Sequence, residues 1–186
     1  AAAKTASWKT TSQPSSQTIH AYLKEHAQMS RARPNTRGSV EQALANAKKV
    51  LSETYTLAYI QHTPMEPRAA VAEWADGKLT VWAGCDGPYR ARGDLMRLFD
   101  LPAERVRVII PDMGGGFGGK HNPDAALEAA RLAKAAGRPV CVRWTRAEEF
   151  TWAYFRPAAV IECKGGLDGR GTLTAWEFTN INAGGA

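Results

Sequence analysis

Cysteine is scarce and scattered in this sequence. Only Cys85, Cys141 and Cys163 occur in 186 residues, and none stands in a CxxC pair or in the Cys/His spacing of a structural zinc site. An odd, dispersed set argues against a disulfide framework, and without a four-cysteine pattern this stretch cannot itself hold an iron–sulfur cluster. Cys141 and Cys163 lie in apolar runs, where a thiol is expected to act as a small core residue. Long hydrophobic runs are missing too. None approaches the roughly 18 residues of a membrane span, so no transmembrane segment is expected. The N-terminus has neither the basic, apolar and small-residue order of a signal peptide nor an initial Met, and the sequence reads as a processed product or an excised piece.

What is present describes a soluble, globular chain. Hydrophobic residues make up 44% and charged residues 23%, which excludes a disordered polyampholyte. The length suits one ordinary domain or two small ones. The net charge of +6 is uneven: residues 1–60 carry eight Lys/Arg against three Asp/Glu, whereas the rest is nearly balanced. The basic stretch RARPNTR (Arg31 to Arg37) has no interleaved aromatics on which bases could stack, so no nucleic-acid partner is expected. Residues 1–38 are therefore read as a basic, partly irregular segment, and residues 39–186 as a separate domain.

Periodicity and punctuation place the elements. QTIHAYLKEHAQ reads as a short helix capped by Thr18. Ser39 caps a second helix, SVEQALANAKKVL, with Val40, Leu44, Ala47 and Leu51 on one face and Gln42 completing a capping box. YTLAYI, RAAVAEW and LTVWAG read as strands, the last two joined by an Asp76-Gly77 hairpin turn. YRARGDLMRLF is a helix with Leu95, Leu98 and Phe99 facing inward. VRVII is a buried strand, DAALEAARLAKAA a helix stopped by Gly137, and VCVRW a further strand. AAVIECKGG and TLTAWEFTNI form a hairpin turning at LDGRG. Strands and helices mix, with too many hairpins for a purely parallel sheet, so an α+β fold with a mixed β-sheet and helices on one face is expected.

The stretch PDMGGGFGGKHN (Pro111 to Asn122) carries the candidate chemistry; five of its twelve residues are glycine. Gly114, Gly116 and Gly119 spell GxGxxG between a strand and a helix, as a dinucleotide loop requires. The second strand, however, ends in Thr145 and Arg146 where a ribose-binding acid should stand, the first acids being Glu148 and Glu149. Gly114 to Lys120 also spells GxxxxGK, but His121 replaces the hydroxyl that would ligate magnesium. A nucleotide- or anion-binding module built on residues 114–120 is the alternative reading that these two partial matches leave open.

A third match is longer. HTPMEPRAAVAEW, W-x-G-x-x-x-P (Trp82 to Pro88), LPAERVRVIIPDMGGGFGGKH, EAARLAKAAGRPV and WTRAEEFTWAYFRPA occur in this order. Over roughly residues 40–186 this resembles the molybdenum-binding subunit of the xanthine dehydrogenase and aldehyde oxidase family. The GGGFGGK loop and WTRAEEFTWAYFRPA resemble its isoquinoline 1-oxidoreductase branch in particular. The resemblance implies a partial molybdopterin-binding domain at 39–186 and a parent molybdenum hydroxylase. Such an enzyme hydroxylates an aldehyde or N-heterocycle with oxygen from water and passes electrons to an iron–sulfur subunit or other partner. The implied cofactor is molybdopterin, as its cytosine dinucleotide, with molybdenum.

By the same resemblance Gly115, Gly116, Phe117, Gly118, Gly119 and Asp86 are cofactor-binding, Phe117 packs on the site, and His121 contacts substrate. Glycines let the backbone approach a flat anion, and successive N–H groups favour its charge. Lys120 is expected to pair with an acid or line the cofactor channel, and Glu66 and His62 to belong to a turn held by a carboxylate. No residue here ligates the metal directly. The general base belongs to a later segment of the family's subunits, so no catalytic residue is assigned within this chain. Taken alone, the chain is expected to be inactive and without cofactor, the remainder of the molybdenum subunit being a partner. Compartment stays open, since relatives occur in the cytoplasm and the periplasm. At Trp82 to Pro88 the family pattern is W-x-G-T-Q-x-P, whereas this chain reads WAGCDGP. Asp86 thus replaces a glutamine: an ionised Asp can only accept hydrogen bonds where a glutamine amide donates one.

Overall fold

The computed structural model describes residue 7, residues 9–28 and residues 35–184. The first four residues of the basic RARPNTR stretch lie outside the described residues. The chain divides into two compact units, Ala1–Ile60 with Pro157–Ala186, and Gln61–Arg156.

The first unit is built on a three-stranded antiparallel sheet of β1 (Lys49–Leu57), β6 (Ala159–Leu167) and β7 (Leu173–Asn182), in the order β1-β6-β7. Two short helices, α1 (Ile19–Glu25) and α2 (Val40–Ala45), accompany it. Ser39 caps α2 as expected, its hydroxyl accepting from the Gln42 amide at 3.3 Å. The helix stops at Ala45, however, and Leu51 lies in β1. The physical reason is the partner strand. β1 pairs residue for residue from Lys49↔Leu167 to Leu57↔Ala159, and a nine-residue ladder of Val, Thr and Tyr outweighs a helical pattern of modest propensity. Thr18 stands before α1 without capping it; its hydroxyl instead accepts from the Ser15 amide at 2.9 Å.

The second unit carries a four-stranded mixed sheet. Its order is β4 (Val106–Ile109), β3 (Lys78–Ala83), β2 (Ala69–Ala75), β5 (Val140–Arg143), with only β3 and β4 parallel. β2 and β3 form the expected hairpin. Asp76 and Gly77 both have positive φ, 51° and 71°, the geometry that matches strand twist in a two-residue loop. Alternation along β2 and β3 sends Ala70, Ala72, Leu79, Val81 and Ala83 to one buried face. Helix α3 (Pro88–Phe99) adds Leu95 to that core, and helix α4 (Asp124–Ala136) adds Ala125, Ala126, Ala129, Ala130 and Ala133. Five alanines let α4 lie close to the sheet, and Gly137 ends it in the left-handed conformation at φ 61°. Phe99 meets Trp74 edge to face at 4.9 Å, whereas Leu98 stays half-buried and Met96 packs against the core instead.

The cysteines differ from expectation. Cys85 is the buried one, Cys163 is half-buried and Cys141 is exposed. In β5 the strand period turns Val140 and Val142 toward the core, and Cys141, between them, necessarily faces away.

Candidate functional site

The glycine loop joins β4 to α4, and four side chains brace it from the protein side. Glu66 accepts from the Gly114 amide at 2.7 Å and from Lys120 Nζ at 2.7 Å. Lys120 is 1% exposed. Its ammonium donates hydrogen bonds that hold the Glu66 carboxyl below the ordinary value of 4.5, with the Gly114 N–H adding to the effect. At the far end of the loop, Arg68 donates to the Gly119 carbonyl and to the Glu149 carboxylate. Arg68 and Glu149 are 3% and 0% exposed. Gln61 Nε2 donates to the Glu149 backbone carbonyl at 2.8 Å, and the Arg68 amide to Glu149 Oε1 at 2.6 Å, so the carboxylate is satisfied on both oxygens. Tyr154 donates its hydroxyl to the Gly118 carbonyl. Asp124, 3.5 Å from Arg68 Nε, is nevertheless shifted upward, because its loss of water outweighs the guanidinium.

Glu149 reaches this position through a local sequence signal. Helix α5 (Arg146–Trp152) begins with a capping box in which Thr145 Oγ1 accepts from the Glu148 amide at 3.2 Å and Glu148 accepts from the Thr145 amide at 2.7 Å. The next residue, Glu149, is then turned into the protein. The T-x-x-E pattern of Thr145 to Glu148 could have located this helix. Nothing in the sequence points to Arg68 as its partner, 81 residues away. Burial and pairing also exclude Glu149 as the ribose acid of a dinucleotide loop.

The loop's glycines are required by the protein's own side chains. A Cβ on Gly114 would stand 3.0 Å from Glu66, on Gly116 3.2 Å from Asp86 Oδ1, on Gly118 3.3 Å from the His62 ring, and on Gly119 3.0 Å from His62 Cβ. Gly115 and Gly118 add positive φ of 80° and 90°. His62 is therefore part of the loop's support, and its imidazole is pushed toward the neutral form by burial and then by Arg68. Its buried Nδ1 finds no hydrogen-bond partner among the described residues.

Phe117 behaves differently. It also has positive φ, 51°, a costly conformation for a non-glycine residue, and its side chain is 76% exposed. Among the described residues, nothing accepts from the amides of Gly115, Gly116, Phe117 or Gly118. The Gly118 and Gly119 carbonyls are instead drawn inward by Tyr154 and Arg68. Four successive backbone N–H groups without a partner among the described residues are donors of the kind an anion can take.

Asp86 lies against this loop, its Oδ1 3.2 Å from where a Gly116 Cβ would stand. Its amide donates to the Lys120 carbonyl at 3.1 Å, and its Oδ2 lies 2.9 Å from His121 Nδ1. The two residues singled out separately in the sequence are thus in contact. A cleft of about 150 Å³ opens beside the base of the loop, between Glu66, Trp82, Gly84, Pro111, Lys120 and Cys141. Among the described residues no cluster of three His, Cys, Asp or Glu could hold a metal ion, and no helix is long and apolar enough to cross a membrane.

Comparison with known proteins gives this arrangement a lineage. Residues 20–186 match the molybdopterin cofactor-binding domain. The chain is 33% identical over 141 residues to a nicotinate dehydrogenase subunit of Pseudomonas putida, covering 76% of this chain and 12% of that protein. It is 39% identical over 139 residues to a subunit of a probable xanthine dehydrogenase of Bacillus subtilis, covering 74% and 19%. The chain thus spans less than a fifth of the length of these relatives. Among solved structures, quinoline 2-oxidoreductase from Pseudomonas putida 86 superposes with a TM-score of 0.69 at 30% identity, over 77% of this chain and 19% of the other. Aldehyde oxidoreductase from Desulfovibrio gigas superposes at 0.73 and 24% identity, over 77% and 16%, which speaks for the fold. The chain belongs to the molybdopterin cofactor-binding domain family of the molybdenum hydroxylases.

Proposed function

We propose that this chain supplies the glycine-loop wall of the cofactor site in a molybdopterin-dependent oxidoreductase that hydroxylates aldehydes or N-heterocycles. The observation that carries the reading is the loop itself: four unpaired amides beside an exposed Phe117 held at positive φ. That donor set fits an anionic, acceptor-rich ligand such as molybdopterin, and a dinucleotide form would add phosphates of the same sign. Gly115, Gly116, Phe117 and Gly118 would hold the cofactor through the backbone, with the Phe117 ring against it. Gly119 serves from behind, through its carbonyl on Arg68. When bound, the molybdenum cofactor supplies the oxidative hydroxylation chemistry, with electrons leaving to an iron–sulfur partner.

The role of this chain's residues is to bind and orient. Tyr154 and Arg68 hold the Gly118 and Gly119 carbonyls from the protein side, which fixes the C-terminal end of the loop before any ligand arrives. Asp86 and His121 border the same loop, and His121 is the candidate substrate contact. Of the carboxylates around the loop, Glu149 is buried in an ion pair and Glu66 is committed to Lys120 and Gly114, so neither is free to act as a general base. The chain taken alone is therefore proposed to be inactive. Reading the loop as a nucleotide-phosphate cradle is disfavoured by Lys120, whose ammonium is buried against Glu66.

The experiment is to purify the native protein from its source and count molybdenum and pterin in the same sample. About one of each per chain is the expected result. Tight ATP or NAD(P) binding without pterin would replace this reading with the nucleotide one.

A further inference from the structure

The three-stranded sheet of the first unit has one covered and one bare face. Alternation sends Val160, Glu162 and Gly166 of β6 to one side, and Ile161, Cys163 and Gly165 to the other. The two short helices cover the first side. Val160 is buried there, Lys24 of α1 pairs with Glu162 at 2.6 Å, and a Cβ on Gly166 would stand 3.3 Å from Leu44 of α2. On the second side Leu51, Tyr55, Leu57, Leu173, Trp176 and Phe178 are 39% to 56% exposed. Gly165 stands in register with Leu51 and Trp176, and its missing side chain leaves a cleft of about 230 Å³ between them. The lining of that cleft holds a single charged group, the Glu53 carboxylate.

An antiparallel sheet can leave one face to water when alternation makes that face polar. This face is instead apolar, with aromatic side chains from two strands, and a contiguous apolar surface of that kind marks an interaction site. Its occupant has to bring apolar side chains and, opposite Glu53, a cation, because a carboxylate buried without a partner is costly. A second copy related by a twofold axis through the cleft would bring the two Glu53 carboxylates toward one another, with no cation in the lining to separate them. The relatives supply a better candidate. The chain spans 12% and 19% of two of them, so most of a subunit of this kind lies outside the stretch that matches.

We propose that the bare face of β1, β6 and β7 is where a segment of the same subunit outside residues 1–186 packs, presenting apolar side chains with a Lys or Arg set against Glu53. The inference rests on family membership and on the length of the relatives, and it stands apart from the reading of the glycine loop.

The test uses the full-length protein with p-benzoylphenylalanine in place of Phe178, which lies in register with Cys163 and, through it, Glu53. A second preparation carries the same group in place of Trp176. Illumination joins the benzophenone to whatever C–H group lies against it, and mass spectrometry identifies the linked peptides. The expected result is a link within one polypeptide to an apolar segment outside residues 1–186 that contains Lys or Arg. Glu53→Lys should lower the yield of that link severalfold, and Glu53→Gln should lower it less. A link elsewhere in residues 1–186, to an iron–sulfur partner or to a second copy overturns the proposal, the last two visible as a band of added mass on a denaturing gel. So does the absence of a link at both positions, which would leave the face open to water. An unchanged yield in Glu53→Lys overturns the cation opposite Glu53.

Discussion

Arg68 and Gly119 are joined by a hydrogen bond from the guanidinium to the backbone carbonyl, made in the interior beside the fully buried Glu149. A cation with two buried obligations, one to a carboxylate and one to the loop, couples the shape of the glycine loop to the packing of α5. Removing Arg68 strands the Glu149 carboxylate without solvent, whereas removing Glu149 leaves Arg68 only the more distant Asp124 at 3.5 Å.

Arg68→Met is accordingly expected to destabilise the protein by about 3–5 kcal/mol, the cost of breaking one side of a buried pair. The double variant Arg68→Met, Glu149→Leu should cost clearly less than the sum of the single changes. Urea melts of the four proteins measure this coupling, and strict additivity would mean that the pair is not a unit.

Thr145→Ala removes one half of the capping box that positions Glu149. A loss of about 1 kcal/mol is expected from the cap alone, together with faster amide exchange in Arg146–Trp152. Unchanged exchange in that helix would show that tertiary contacts fix Glu149 without the cap.

Glu66 gives the loop a pH dependence of known sign. Its folded pKa lies below the ordinary 4.5, first through the hydrogen bond from Lys120. Its stabilising contribution is therefore fully present above 4.5 and is lost as pH falls through the lowered folded value. The difference in thermal stability between wild type and Glu66→Gln should be constant near neutrality and vanish in acid. A difference that instead grew as pH fell would place Glu66 in another role.

Signals in the sequence are legible where the structure is local. Ser39 caps its helix, Asp76-Gly77 makes its hairpin, and Gly137 ends α4, because each device acts within a few residues. The glycine loop is recognisable for the same reason, and its motif order carries the family. The resemblance puts Asp86 at the family's glutamine, but its contact with His121 is invisible in sequence, since the two are 35 positions apart. Helical periodicity claims Leu51 wrongly because the nine-residue ladder that holds it comes from Ala159–Leu167, more than 100 residues on. Cys141 has apolar neighbours that suggest burial, whereas strand alternation sets which side chain turns inward. The resemblance assigns the glycines to ligand approach, yet the prospective Cβ of each loop glycine meets one of the protein's own residues.

That last point decides how the loop should be tested. Substituting Gly118 or Gly119 would disturb His62 whether or not a cofactor binds. Phe117 is free of this ambiguity, because its ring is largely exposed and its φ is one that glycine adopts without strain. Phe117→Gly in the full-length protein should leave the cofactor-free fold as stable as before, or slightly more so. The decisive measurement is molybdenum and pterin content per chain in that variant beside the wild type. A marked loss of both at undiminished stability of the cofactor-free protein is the expected result. Full retention would contradict the assignment of this loop and its exposed ring to the cofactor.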